Sequence, residues 1–256
     1  MSNLGLQLLT AVLIGIGAGY LGAFMILRRM SLVGDALSHV ALPGIAIALL
    51  FNINPFIGAT FALIVAIIGV AILERKTTLP SETLIGIFFT LSLALGLILT
   101  PEPELLEALF GDITKVTFND LILTAVSVVA ILLIIPKITK GLVLGIMSKD
   151  LTRSMGIKIN VINFIFLFMV SVVVALGLKV AGTLLMGSLV IIPAAAAKNL
   201  SNSLSSYSLW AMLFGALSSL IGIFISIYIG FTSGPVIVLA SGAIFLITLF
   251  FRPANN

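Results

Sequence analysis

Long apolar runs broken by short polar stretches dominate this chain. They extend from about Leu4 to Leu27, Val33 to Phe51, Pro55 to Leu73, Thr83 to Leu99 and Leu121 to Ile135. Four more follow, Val161 to Leu178, Val180 to Ala197, Leu209 to Ile229 and Pro235 to Phe251. Most match the roughly 20 residues needed to cross a bilayer core as a helix. The pattern predicts an all-α, polytopic transmembrane bundle of about nine spans. The fifth run is short and must extend into its neighbours. The sixth and seventh part only around Lys179, so one could be broken or re-entrant and the count could be eight to ten.

Composition supports this reading. The chain has 256 residues, 61% hydrophobic and 9% charged, with a mean hydropathy of +1.33. A soluble core could not bury that much apolar surface. The first run lacks a basic leading region and reads as a retained span. Nothing marks a second domain, so residues 1–256 read as one membrane domain. The absence of cysteine removes disulfides and thiolate ligands.

The distribution of charge says more than its net value of +4. Alternating the loops between two sides groups Arg28, Arg29, Arg75, Lys76, Lys137, Lys140, Lys149, Arg153, Lys158, Lys198 and Arg252 on one side. Only Lys115 and Lys179 fall on the other. The positive-inside bias then predicts an outside N-terminus and a cytoplasmic C-terminus. The longest outer loop, Thr100 to Asp120, carries Glu102, Glu104, Glu107, Asp112 and Asp120, either a favourable field for a cation or simply a solvated loop. The longest inner connection, Pro136 to Asn160, holds a segment at about 148–158 that reads as a short helix. Ser148 or Asp150 could cap it and Gly156 could end it, with Leu151 and Met155 on one face. It is either an ordinary surface helix or a knob for a cytoplasmic partner.

Asp35 and His39 are the candidate chemistry. Four residues apart on a helix, they share a face, and His39 is the only histidine. Ionisable groups inside a span are costly and point to function. A carboxylate with a neutral imidazole suits Zn²⁺, Mn²⁺ or Fe²⁺ better than Cu(I). Two ligands are too few for a closed site, which fits a transient station. Asp35 could instead be a helix N-cap, and His39 a buried histidine bonded to a carbonyl. Pro43 and Pro193 could kink their spans. Gly15, Ala18, Gly19 and Gly22 allow close helix packing. No phosphate-binding loop and no HExxH motif occur, so the chain should not hydrolyse ATP itself.

The stretch Leu27-Arg28-Arg29-Met30-Ser31-Leu32-Val33-Gly34-Asp35-Ala36-Leu37-Ser38-His39-Val40-Ala41-Leu42-Pro43-Gly44 resembles the signature of the metal-type ABC transporter permeases. The resemblance continues at Ile85-Gly86-Ile87-Phe88, Leu109-Phe110-Gly111-Asp112, Gly182-Thr183-Leu184-Leu185 and Ser233-Gly234-Pro235. It implies a plasma-membrane permease of a bacterial importer of zinc, manganese or iron, working as a homodimer. Two cytoplasmic ATPases and an extracytoplasmic metal-binding protein would be its partners, with membrane lipid around it, no nucleic acid and no permanently bound cofactor. By the same resemblance Asp35 and His39 are the metal contacts. Asp150, Leu151, Arg153, Met155, Gly156 and Ile157 form the coupling helix that meets the ATPase. The nearest alternatives are a permease for a metal chelate, siderophore or cobalamin, and a stand-alone secondary cation transporter.

Overall fold

The computed structural model describes residues 3–99, 109–147, 152 and 154–251. Among them the regular elements are helical, with no strand. In chain order they are α1 (Asn3–Leu27), α2 (Val33–Val40), α3 (Leu42–Leu50), α4 (Pro55–Lys76) and α5 (Ser81–Leu99). After a 3₁₀ turn at Ile113–Lys115 come α6 (Phe118–Met147), α7 (Ile159–Leu200), α8 (Leu204–Ile229) and α9 (Ser233–Phe250). Eight stretches are long and apolar enough to cross a membrane, and Leu185–Leu200 is a shorter apolar helix. All nine expected segments are therefore present, with the sixth and seventh joined in α7.

The junction within α7 is Gly182, whose φ of 73° and ψ of 175° lie outside helical space. Only glycine holds that combination without strain. The chain reverses there. Before the break α7 climbs along α1, from Asn163 beside Arg28 to Gly177 beside Ile14. After it the chain descends again, with Val190 and Ala194 against Gly22 and Ala194, Ala196 and Ala197 packed with Ala23, Ile26 and Leu27. Sixteen residues of helix rise about 24 Å, so Leu185–Leu200 nearly recrosses the core.

The second apolar run divides at Ala41 into α2 and α3. Pro43 has no N–H to offer the carbonyl of His39, four residues back. That carbonyl and the one on Ser38 take the N–H of Ala41 instead, tightening the chain directly beyond the candidate site.

One sequence expectation needs correcting. The inner connection does not begin at Pro136, because α6 runs through that proline to Met147. Its 30 residues rise about 45 Å against a hydrocarbon core of about 30 Å. The extra turns carry Lys137 and Lys140 beyond the apolar layer. Gly141 and Gly145 then bring this end close to Ile157, Ile159 and Ile162.

Burial separates the helices into two sets. In the most apolar windows of α1, α2–α3 and the first part of α7, 72%, 72% and 67% of residues are buried, against 28%, 17% and 22% in α4, α5 and α6. The first set is the core that positions the site. The second presents residues such as Phe61, Leu91 and Val126 outward, as expected where the solvent is lipid.

Candidate functional site

Asp35 and His39 both lie in α2, one turn apart. Leu32, not Asp35, occupies the N-cap, and no side chain caps this helix. The carboxylate is therefore not consumed by capping. Asp35 is half-buried, and His39 is buried, 8% exposed. Its Nδ1 has no hydrogen-bond partner among the described residues, so the ring is not tied to a carbonyl through that atom. The imidazole sits against Phe89 of α5, with ring centroids 5.5 Å apart and planes at 58°.

The broken helix fixes the other side of α2. Ser38 Oγ lies 2.6 Å from the carbonyl oxygen of Thr183, one residue past the break, and 2.7 Å from that of Asp35. A Cβ on Gly187 would run into the backbone of Asp35, so the returning half of α7 lies directly against the helix turn that carries the carboxylate. Carbonyls freed just before the break find donors too. The Asp112 N–H bonds to Lys179 O, and Ser233 Oγ bonds to Val180 O. Unwound backbone is tolerated at membrane depth when it is satisfied in this way. Thr183 Oγ1 is buried without a partner among the described residues.

Ser38, Thr183, Gly187 and Phe89 were not singled out as site residues from sequence. Ser38 could have been, standing three residues after Asp35. The other three come from distant segments. No group of three or more His, Asp or Glu side chains that could hold a metal occurs among the described residues. Asp35 and His39 thus offer one carboxylate and one imidazole, one turn apart on a single helix.

The two described acids of the outer loop have local partners. Asp112 Oδ1 accepts from Thr114 N and Oγ1. Asp120 Oδ2 accepts from Thr117 N and Oγ1, and its Oδ1 pairs with Lys179 Nζ at 2.7 Å. Glu102, Glu104 and Glu107 lie outside the described residues. A cavity of about 520 Å³ opens nearby, lined by Leu49, Asn52, Phe56, Asp112, Lys115 and Lys179 among others.

At the opposite end, Asp150, Leu151 and Arg153 lie outside the described residues, as do Ser148 and Lys149. Thr152 is buried. Gly156 is left-handed, with φ of 73°, and Ile157 N donates to Thr152 O. This six-to-one closure with a glycine is the expected helix ending. Met155 is 49% exposed beside it.

A partly buried polar chain lies close by. Arg28 Nη2 donates to Asn163 Oδ1 at 2.6 Å, and Asn163 Nδ2 donates to Glu74 Oε1 at 3.0 Å. Ser81 Oγ donates to the same Glu74 oxygen at 2.9 Å. Burial pushes the Arg28 guanidinium below its ordinary pKa, while Glu74 pulls it back up.

Comparison with known proteins supplies the family. The sequence matches the ABC 3 transport family over residues 2–252. The chain belongs to that family. It is 38% identical over 253 residues to the manganese import system permease protein ScaB of Streptococcus parasanguinis, covering 97% of this chain and 90% of that protein. It is 31% identical to the high-affinity zinc uptake system membrane protein ZnuB of Haemophilus influenzae, covering 96% of each. Among solved structures, PsaBC from Streptococcus pneumoniae, in complex with Fab, matches with a TM-score of 0.84 at 35% identity, over 99% of this chain and 93% of that one. The permease is a multi-pass protein of the bacterial plasma membrane and a component of a metal ABC importer.

Proposed function

We propose that this permease moves manganese or zinc, with iron as a further candidate, into the cell. It would do so as one domain spanning residues 1–256, in a homodimer with two cytoplasmic ATPases. An extracytoplasmic binding protein delivers the ion to the outer loops, and it passes between the two permease copies. Asp35 and His39 act as a transient coordination point on that path. The basic helix ends face the cytoplasm, placing the N-terminus outside and the C-terminus inside. The segment from Asp150 to Ile157 docks on the ATPase.

The observation that carries this reading is His39 itself. It is the chain's only imidazole, is buried one turn from a carboxylate, and has a ring nitrogen without a partner in a family whose members carry manganese or zinc. A buried donor–acceptor left open costs stability. A cation in passage would use that open position, and the negative charge of Asp35 would offset part of the cation's cost in hydrocarbon. With so few protein ligands, an ion can also leave.

The test is uptake of radioactive manganese and zinc by cells carrying Asp35→Asn or His39→Ala, at matched expression. Both variants should fall to the level of cells without the permease. Wild-type uptake by both would remove the coordination role. For the docking segment, Met155→Asp should abolish co-purification with the ATPase. Unchanged assembly would overturn that assignment.

A further inference from the structure

The polar chain from Arg28 through Asn163 and Glu74 to Ser81 joins four helix ends that are far apart in sequence. Arg28 follows α1, Asn163 lies in the first turns of α7, Glu74 is in the last turn of α4, and Ser81 opens α5. Arg28 also stands over the ring of Phe166, 5.1 Å from its centroid. Its Nη1 is buried without a partner among the described residues. A charged group held by one amide and one ring, with a donor left over, is a joint with room to change partners.

Its two ends lead to the two functional regions proposed above. Towards the docking segment, Asn163 is six residues beyond Ile157, whose N–H is bonded to Thr152 O. The N–H groups of Val161 and Ile162 bond to Lys158 O, and glycines hold this stretch tightly against α6. Displacement of the turn that bears Met155 would therefore carry Asn163 with it. Towards the metal station, Arg28 is linked to α2 by a closed run of backbone bonds, Met30 N to Met25 O, Val33 N to Met30 O and Ala36 N to Leu32 O. No slack loop intervenes. Asp35 is in the first turn of α2 and His39 in the last.

We infer that Arg28, Asn163 and Glu74 are positioning residues that transmit movement of the docking segment into α2, and so set where Asp35 and His39 stand during transport. This rests on the proposed reading of both regions. Packed side chains and hydrogen-bond networks are a known carrier of coupling between sites, and the experiment below measures it.

The experiment uses the full permease with its ATPase and binding protein in proteoliposomes, reading manganese ions moved per ATP hydrolysed. Asn163→Leu should leave an assembled complex that still hydrolyses ATP, with the ratio lowered about tenfold. The triple variant Arg28→Met, Glu74→Met, Asn163→Leu removes both charges together. Replacing charged partners together by apolar side chains is often tolerated, and the Ser81 hydroxyl left behind is small and at a helix end, so the variant should fold and show the same loss. A wild-type ratio in either assembled variant overturns the inference. So does failure of the triple variant to assemble, which would make the network a folding staple. If the wild-type complex moved no metal, or Met155→Asp assembled normally, the underlying reading would fail instead.

Discussion

Two pairs of ionisable side chains, one joining the first turn of α6 to α7 and one within α2, are built in opposite ways. Lys179 and Asp120 answer each other across 2.7 Å. The second Asp120 oxygen takes two bonds from Thr117, and Lys179 also stands over Phe56. Asp35 and His39 instead share one helix face, with His39 Nδ1 left unpartnered. A pair closed on itself fastens α6 to the end of α7's first half. A pair left open has capacity for something not permanently there. Both pairs set ionisable groups among largely apolar helices, and they differ in whether those groups are satisfied.

The strongest way to break this comparison is to remove the element that separates the two pairs. Gly182→Ala would force a side chain into a backbone conformation it rarely adopts, and its Cβ would meet Leu109 O and Gly111 N. Strain and overpacking together should cost about 2–6 kcal/mol. Little folded protein should survive extraction, as judged by size-exclusion chromatography in detergent.

Next comes the open pair. Asp35→Asn and His39→Ala should lose uptake, yet each should keep its thermal unfolding midpoint in detergent. A large fall in midpoint would mean these side chains hold the fold, and the contrast would collapse. The closed pair should behave in reverse. Lys179→Met leaves a mostly buried carboxylate without its cation and should cost about 1–3 kcal/mol, while uptake per folded molecule persists. The smallest effect is expected at Asp112→Ala, which loses a cap to an exposed turn worth about 0.5–2 kcal/mol. Uptake at low salt should stay unchanged. A fall there would restore the outer acids as a funnel for cations.

Much of the fold was legible because lipid imposes a simple rule. Each apolar run must satisfy its own backbone, so length and hydropathy mark helices. That logic located all nine segments and required the short fifth to extend. But it started the inner connection at Pro136, whereas α6 continues through that proline to Met147, its last turns packed on Ile157, Ile159 and Ile162. It also set the sixth-to-seventh boundary at Lys179 rather than at Gly182, because a charge is conspicuous in sequence and a backbone angle is not. Asp35 and His39 were legible as a pair through their four-residue spacing. Ser38 and Thr183 were not joined, since they stand 145 positions apart.

Sequence by itself determined the helical class, the membrane setting, the family and the one carboxylate–imidazole pair, because each rests on local composition, spacing or a contiguous motif. Tertiary structure alone decided that α7 folds back at Gly182, that Ser38 ties α2 to the Thr183 carbonyl just past that break, and that Arg28 reaches Glu74 through Asn163. Those facts depend on backbone angles and on side chains meeting across the bundle. No run of neighbouring residues encodes such contacts, because they exist only once the helices have packed.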